Sequence, residues 1–194
     1  MKRYVLGISG ASGSVYAVRV AKAIAEAGHE LHLVFSAAGE RGMIHETGMD
    51  GAAFMKDLGG SATGKIFRHE SNDLFAPIAS GSFRTDGMAI VPCSMAAVAA
   101  IAGGSGGDLL RRAADVHLKE RRPLVVVFRE TPLSSIHLRN LLVLSDTGAL
   151  ILPAAPAFYN KPTGMDDLVD FIAARVLSGL GMENDLIQEW GSGE

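Results

Sequence analysis

Short apolar runs alternate along the chain with segments in which apolar residues recur three and four positions apart. The runs at 4–8, 30–35, 88–91, 124–128 and 149–152 have the length of strands, draw on Val, Ile, Leu and Phe, and give way to glycine, serine, proline or charge. The segments 15–27, 109–121, 135–144 and 166–180 carry the helical spacing. This alternation predicts an α/β protein: a Rossmann-like (flavodoxin-like) three-layer sandwich with a mainly parallel sheet and right-handed crossovers. Between 48 and 69 the pattern breaks, because Gly51, Gly59, Gly60 and Gly64 interrupt weak helical and strand signals, and no firm element is assigned there.

Length narrows this to one domain over 1–190 with a disordered tail at 191–194, since 194 residues suffice for one sizeable core. With 48% hydrophobic and 20% charged residues the composition is globular, and no apolar run reaches bilayer length. Lys2 and Arg3 are followed by only three apolar residues before Gly7, so the start reads as the first strand of a cytoplasmic protein and not as a secretory signal. Cys93 is the single cysteine, which leaves no intrachain disulfide and no cysteine metal cluster. A net charge of −3 gives no global attraction to nucleic acid or to an anionic membrane, so any anionic ligand needs a local group of cations.

In open α/β sheets ligands bind beyond the carboxyl ends of the strands. Here those ends read Gly7-Ile8-Ser9-Gly10-Ala11-Ser12-Gly13, Ser36, Pro92-Cys93-Ser94, Arg129-Glu130 and Pro153-Ala154-Ala155-Pro156. The first loop feeds a helix starting near Ser14, whose amides and positive end suit a phosphate. The glycine spacing is not that of a dinucleotide fold, which favours a mononucleotide over NAD. The same glycines serve equally well in a tight turn with serine caps. Arg129-Glu130, taken alone, reads as a salt bridge at the sheet rim. Arg112 and Lys119, seven apart, lie within roughly 20° of each other on one helix face, while Arg121 and Arg122 read as solvated charges meeting a helix dipole. The six histidines show no metal-ligand spacing, and no metal is expected. Cys93 reads as a pocket residue and not a nucleophile.

Taken together, the motifs resemble one family. Gly7 to Gly13, Ala79-Ser80-Gly81-Ser82-Phe83, Pro92-Cys93-Ser94-Met95, Arg112-Ala113-Ala114-Asp115-Val116, Leu118-Lys119-Glu120-Arg121-Arg122-Pro123-Leu124, Arg129-Glu130-Thr131-Pro132-Leu133 and Pro153-Ala154-Ala155-Pro156-Ala157-Phe158-Tyr159 are similar to the signatures of UbiX-type flavin prenyltransferases, formerly described as phenylacrylic acid or 3-octaprenyl-4-hydroxybenzoate carboxy-lyases. The resemblance implies transfer of a dimethylallyl group from dimethylallyl phosphate to N5 and C6 of reduced FMN, without a metal. It further implies a homo-oligomer, of the dodecamer type, and a functional link to a UbiD-type decarboxylase.

By this resemblance Gly10, Ala11, Ser12, Ser36, Cys93, Ser94, Met95, Ala96 and Arg129 hold FMN, and Arg112, Lys119, Tyr159 and Arg175 hold the phosphate of dimethylallyl phosphate. Glu46, Lys119, Glu130 and Ser12 are the catalytic candidates. Ala96-Ala97 stands where many relatives carry Lys-Thr, and Gly107 where Asn or Asp is common. Two other readings fit the architecture: an FMN-dependent decarboxylase of the cysteine or phosphopantothenoylcysteine type, and a flavin-binding accessory subunit. The Gly/Ala-rich stretch 95–107 is the expected surface between subunits.

Overall fold

The computed structural model describes residues 1–188, so the tail expected at 191–194 lies outside it. Six strands form one sheet: β1 (Arg3–Ile8), β2 (Glu30–Phe35), β3 (Ile66–His69), β4 (Gly87–Cys93), β5 (Leu124–Phe128) and β6 (Leu150–Pro153). Their order is β3-β2-β1-β4-β5-β6 and every pairing is parallel. The helices are α1 (Ser14–Glu26), α2 (Ala37–Thr47), α3 (Gly51–Ser61), α4 (Met95–Ala102), α5 (Leu109–Lys119), α6 (Ser135–Asp146) and α7 (Met165–Gly179). No helix among the described residues is long and apolar enough to cross a membrane.

The central strands are apolar on both faces because helices cover both. Tyr4, Leu6 and Ile8 of β1 and Val125 and Val127 of β5 join one core with α1, α2, α3 and α7. Val5, Leu124, Val126 and Phe128 point the other way, into a second core with α4, α5 and α6. The five expected strands and four expected helices are present, with ends shifted by a few residues. Three helices and one strand were not assigned from the sequence. In α3 the last turn holds Gly59 and Gly60, which weakens its signal, yet Phe54 and Leu58 are wholly buried and Asp50 caps it by accepting from the Ala53 amide at 2.8 Å. Helix α4 has no polar face to give it a period: Met95, Ala97, Val98 and Ile101 are all buried within the chain itself.

The exposed apolar side chains lie elsewhere. Ile136, Leu138, Leu142 and Val143 of α6 are between 42% and 64% exposed. Of the stretch 95–107, Met95, Ala97, Val98 and Ile101 belong to the intrachain core while Ala96, Ala99 and 103–106 stay exposed, and α6 carries a further open apolar face.

Candidate active site

The chain reverses its direction of strand addition between β1 and β4, which opens a crevice beyond their carboxyl ends. Ser9, 3% exposed, ties its two lips together. Its amide donates to the Pro92 carbonyl at 3.0 Å, its hydroxyl donates to the same carbonyl at 3.1 Å, and its oxygen accepts from the Ser94 amide at 2.8 Å. The cleft, of about 500 Å³, is walled by Ser9, Gly10, Ser36, Ala37, Ala38, Ser94, Ala96 and Ala97, with Asp108 and Arg111 from the start of α5. Gly10 is needed for this closeness: a β-carbon there would come within 2.5 Å of the Ala38 β-carbon.

Ser36 and Ser94 cap α2 and α4, their hydroxyl oxygens accepting from Gly39 at 3.0 Å and from Ala97 at 3.2 Å. The amides of Ala37 and Ala38, and of Met95 and Ala96, have no acceptor inside their own helices, so they face the cleft as donors for an anion or a ring carbonyl. Small side chains on both walls leave space for a flat ring. These features fit FMN.

The start of α1 differs from the sequence reading. An anion does sit on its amides, but it is the carboxylate of Glu46 from α2. Ser14 donates to Glu46 Oε2 at 2.7 Å and Gly13 to the two oxygens at 3.0 and 3.2 Å. Gly13, at φ 119°, holds a left-handed conformation that suits glycine alone. Burial alone pushes the Glu46 pKa up. The hydrogen bonds from the Ser12 hydroxyl, the Gly13 and Ser14 amides and the Ser14 hydroxyl together outweigh it and hold the group below its ordinary value.

Cys93 is fully buried, and burial pushes its thiol up to about 12 against a smaller opposing effect of Ser9, so it stays protonated. Its side chain packs in the second core beneath the cleft. Met95 is likewise buried. Arg129 reaches back to the Ser12 carbonyl at 3.5 Å, while Glu130 accepts from the Thr131 amide at 3.2 Å. The rim salt bridge between Arg129 and Glu130 does not form, because the two side chains turn to different partners. Ala11 and Ser12 sit on the loop between β1 and α1. Tyr159, half exposed, follows β6 on the same side of the sheet, its ring edge-on to Phe171 at 6.2 Å.

The cationic candidates lie apart from this group. Helix α5 starts at the cleft and runs away from it, so Lys119 sits about 16 Å further along the axis. There it lines a second hollow with Arg121, Arg122, Pro123 and Asp146 to Gly148, beside the amino ends of β5 and β6. Its ammonium pairs with Glu120. Arg112, on the same helix, donates to the Ala79 carbonyl at 3.0 Å and pairs with Asp115 at 2.7 Å. Arg175 is exposed on α7, one turn before Gly179, which abuts Leu150 and Val125 at the amino edge. One chain therefore holds the flavin-type cleft at one edge and Lys119 and Arg175 toward the other.

Arg122 corrects the sequence reading. It is no solvated charge: it donates to the carbonyls of Gly81 at 2.5 Å and Phe83 at 2.9 Å, and to Thr85 Oγ1 at 3.3 Å. Nothing in the local sequence signals this, since the acceptors lie some forty residues away. Among the described residues no three His, Cys, Asp or Glu gather as a metal site.

Residues 1–177 match the Flavoprotein family. The chain is 45% identical to the flavin prenyltransferase UbiX of Halalkalibacterium halodurans over 191 residues, which cover 97% of this chain and 93% of that one. The chain belongs to the flavin prenyltransferase UbiX family. Among solved structures it is similar to AnUbiX in complex with FMN and dimethylallyl pyrophosphate, with a TM-score of 0.92 and 41% identity over 100% of this chain and 99% of that one. A dodecameric FMN-dependent UbiX-like decarboxylase from Escherichia coli superimposes with a TM-score of 0.89 at 42% identity, over 98% of this chain and 100% of the other. Within this family Ala96 and Ala97 line the cleft of this chain, and Gly107 lines an adjoining hollow with Phe35, Glu40 and Arg68.

Proposed function

We propose that this chain transfers the dimethylallyl group of dimethylallyl phosphate to reduced FMN, making prenylated FMN for a UbiD-type decarboxylase. What carries the reading is likeness over nearly the whole chain to flavin prenyltransferases, on a fold whose carboxyl edge is a cleft of small residues and open helix amides. FMN would supply the acceptor atoms: the first carbon of the dimethylallyl group would bond to N5 as its C–O bond to phosphate breaks and N5 gives up its proton, and after the alkene takes up a proton its tertiary carbon would bond to C6, which loses its ring proton.

Gly10, Ala11, Ser12, Ser36, Ser94, Ala96 and Arg129 hold the flavin, with Cys93 and Met95 forming the floor from below. Lys119, Arg112, Arg175 and Tyr159 stabilise the charge of the departing phosphate, and Glu130 protonates or orients it. Glu46 is ionised at neutral pH, as its depressed pKa requires, and takes the proton lost from the ring, with Ser12 fixed beside it. Because Lys119 and Arg175 lie toward the amino edge, the donor site is completed by a neighbouring chain, and the open apolar face of α6 supports burial between copies. We place the reaction in the cytoplasm, where a chain with one cysteine and no intrachain disulfide is at home.

The test is anaerobic incubation of the purified protein with reduced FMN and dimethylallyl phosphate, followed by the mass of the released flavin. A flavin heavier by one dimethylallyl group supports the reading. Unchanged FMN at full occupancy overturns it in favour of an accessory flavin binder, and release of carbon dioxide from a cysteine substrate overturns it in favour of a decarboxylase.

A further inference from the structure

Beneath Lys119 runs a hydrogen-bonded chain that the reaction scheme does not use. His117, 1% exposed, lies two residues before Lys119 on α5. Its Nδ1 is 2.7 Å from the Ala113 carbonyl oxygen, and its Nε2 is 2.9 Å from Thr85 Oγ1. A carbonyl only accepts, so Nδ1 carries the proton and Nε2 is bare. Nε2 must then accept the Thr85 hydroxyl proton, which leaves the Thr85 oxygen free to accept from Arg122 Nη1. Burial lowers the His117 pKa to about 4, against the Ala113 bond, which raises it, so the imidazole is neutral and the direction of the chain is fixed.

The same Arg122 grips the carbonyls of Gly81 and Phe83, and the Arg3 guanidinium lies 4.2 Å above the Phe83 ring. The segment 81–85 is therefore tied at four places. It is pressed against the donor-site cation: a β-carbon on Gly81 would fall 2.8 Å from Lys119 Nζ and 2.2 Å from Glu120 Oε1. The ends of these two side chains rest on the bare Gly81 backbone, and a β-carbon there would push them aside.

We propose that Thr85, His117 and Arg122 are positioning residues for Lys119, fixing the Gly81 backbone as the wall that sets where its ammonium meets the departing phosphate. This rests on the reading that Lys119 belongs to the donor site. None of the three touches the reacting atoms. They act by holding one wall, so their loss moves donor affinity and spares the flavin end of the site, which lies at the other edge of the sheet.

Thr85→Val keeps the shape and removes the hydroxyl, leaving His117 Nε2 without a donor. Arg122→Lys keeps the charge but cannot span three acceptors. For each, steady-state kinetics of the full-length protein should show the KM for dimethylallyl phosphate raised about tenfold, with kcat within about twofold and FMN affinity unchanged. Thr85→Ser, which restores the hydroxyl, should return KM to the wild-type value. A merely structural role would lower the melting temperature and FMN occupancy without splitting KM from kcat. Lys119→Met separates the two readings. If it leaves KM at the wild-type value, the donor-site reading fails and the positioning role with it. If it raises KM while Thr85→Val and Arg122→Lys do not, the positioning role alone is overturned.

Discussion

The two edges of the sheet bind by different means. At the carboxyl edge the crevice between β1 and β4 is shaped by backbone amides and short hydroxyls, as in the Ser9 lock and the first amides of α1 that hold the Glu46 carboxylate, with the Asp108–Arg111 ion pair at its margin. At the amino edge a long cationic side chain, Arg122, grips the carbonyls of Gly81 and Phe83. The first edge is built for a flat ligand of fixed shape, because amides cannot move without the fold moving. The second is built for charge, and within one chain it is remote from the first. A reaction between a flavin and a phosphate-bearing donor needs both.

The sharpest way to break this comparison is to ask whether the two edges meet only across copies. Lys119→Met and Glu130→Gln chains, each nearly inactive alone, should regain activity when co-expressed in equal amounts, with about a quarter of sites drawing both native residues from different chains. No recovery would mean that both residues serve from one chain. Next in size, Glu130→Gln by itself should slow prenyl transfer roughly a hundredfold while FMN binding is spared, the size expected for loss of a general acid. Single-turnover flavin spectra at full FMN occupancy check this, and a near-normal rate would remove Glu130 from the mechanism.

The amino edge also has a pH signature. His117 has a pKa of about 4 in the folded chain against 6.5 for the free side chain, so between those values the unfolded chain takes up a proton that the buried ring refuses. Stability should fall as pH drops through that window, by at most about 3 kcal/mol, and level off below it. Urea unfolding from pH 7 to 4 should show a slope that His117→Gln flattens. The smallest effect belongs to the carboxyl edge. Glu46→Gln should cost about 0.5–1 kcal/mol at pH 7, kept low because the side chain is largely solvent-exposed. The deficit should disappear as the pH falls below about 4.5 and through the depressed pKa of the native carboxylate, since the wild-type advantage exists only while Glu46 is ionised.

Most of the sheet was legible because a buried parallel strand needs a mainly apolar run: β5 supplies an unbroken one, β1 one from Tyr4 to Ile8, and β2 one that only Glu30 and His32 interrupt. Helix α4 was not, since an all-apolar octet has no period. Helix α3 was hidden by Gly59 and Gly60 and is held by Phe54 and Leu58 against the core. The cleft residues could be found from their place after strands, and the resemblance pointed to Glu46, Tyr159 and Arg175. Arg122 was misread, because a cation after a helix looks the same whether it faces water or a distant loop.

The sequence by itself determined the layer order, the carboxyl-edge location of the cleft and the small-residue character of its walls, all of which follow from local pattern and turn chemistry. Only the tertiary structure decided what each polar group touches: that Glu46 takes the amides a phosphate was expected to occupy, that Arg129 and Glu130 part company, and that Lys119 stands at the opposite edge from Ser12. The reason is physical. Burial and periodicity are summed over neighbours in the chain, whereas a hydrogen bond depends on two groups meeting within about 3 Å, and for residues thirty or more apart only the packed fold sets that distance.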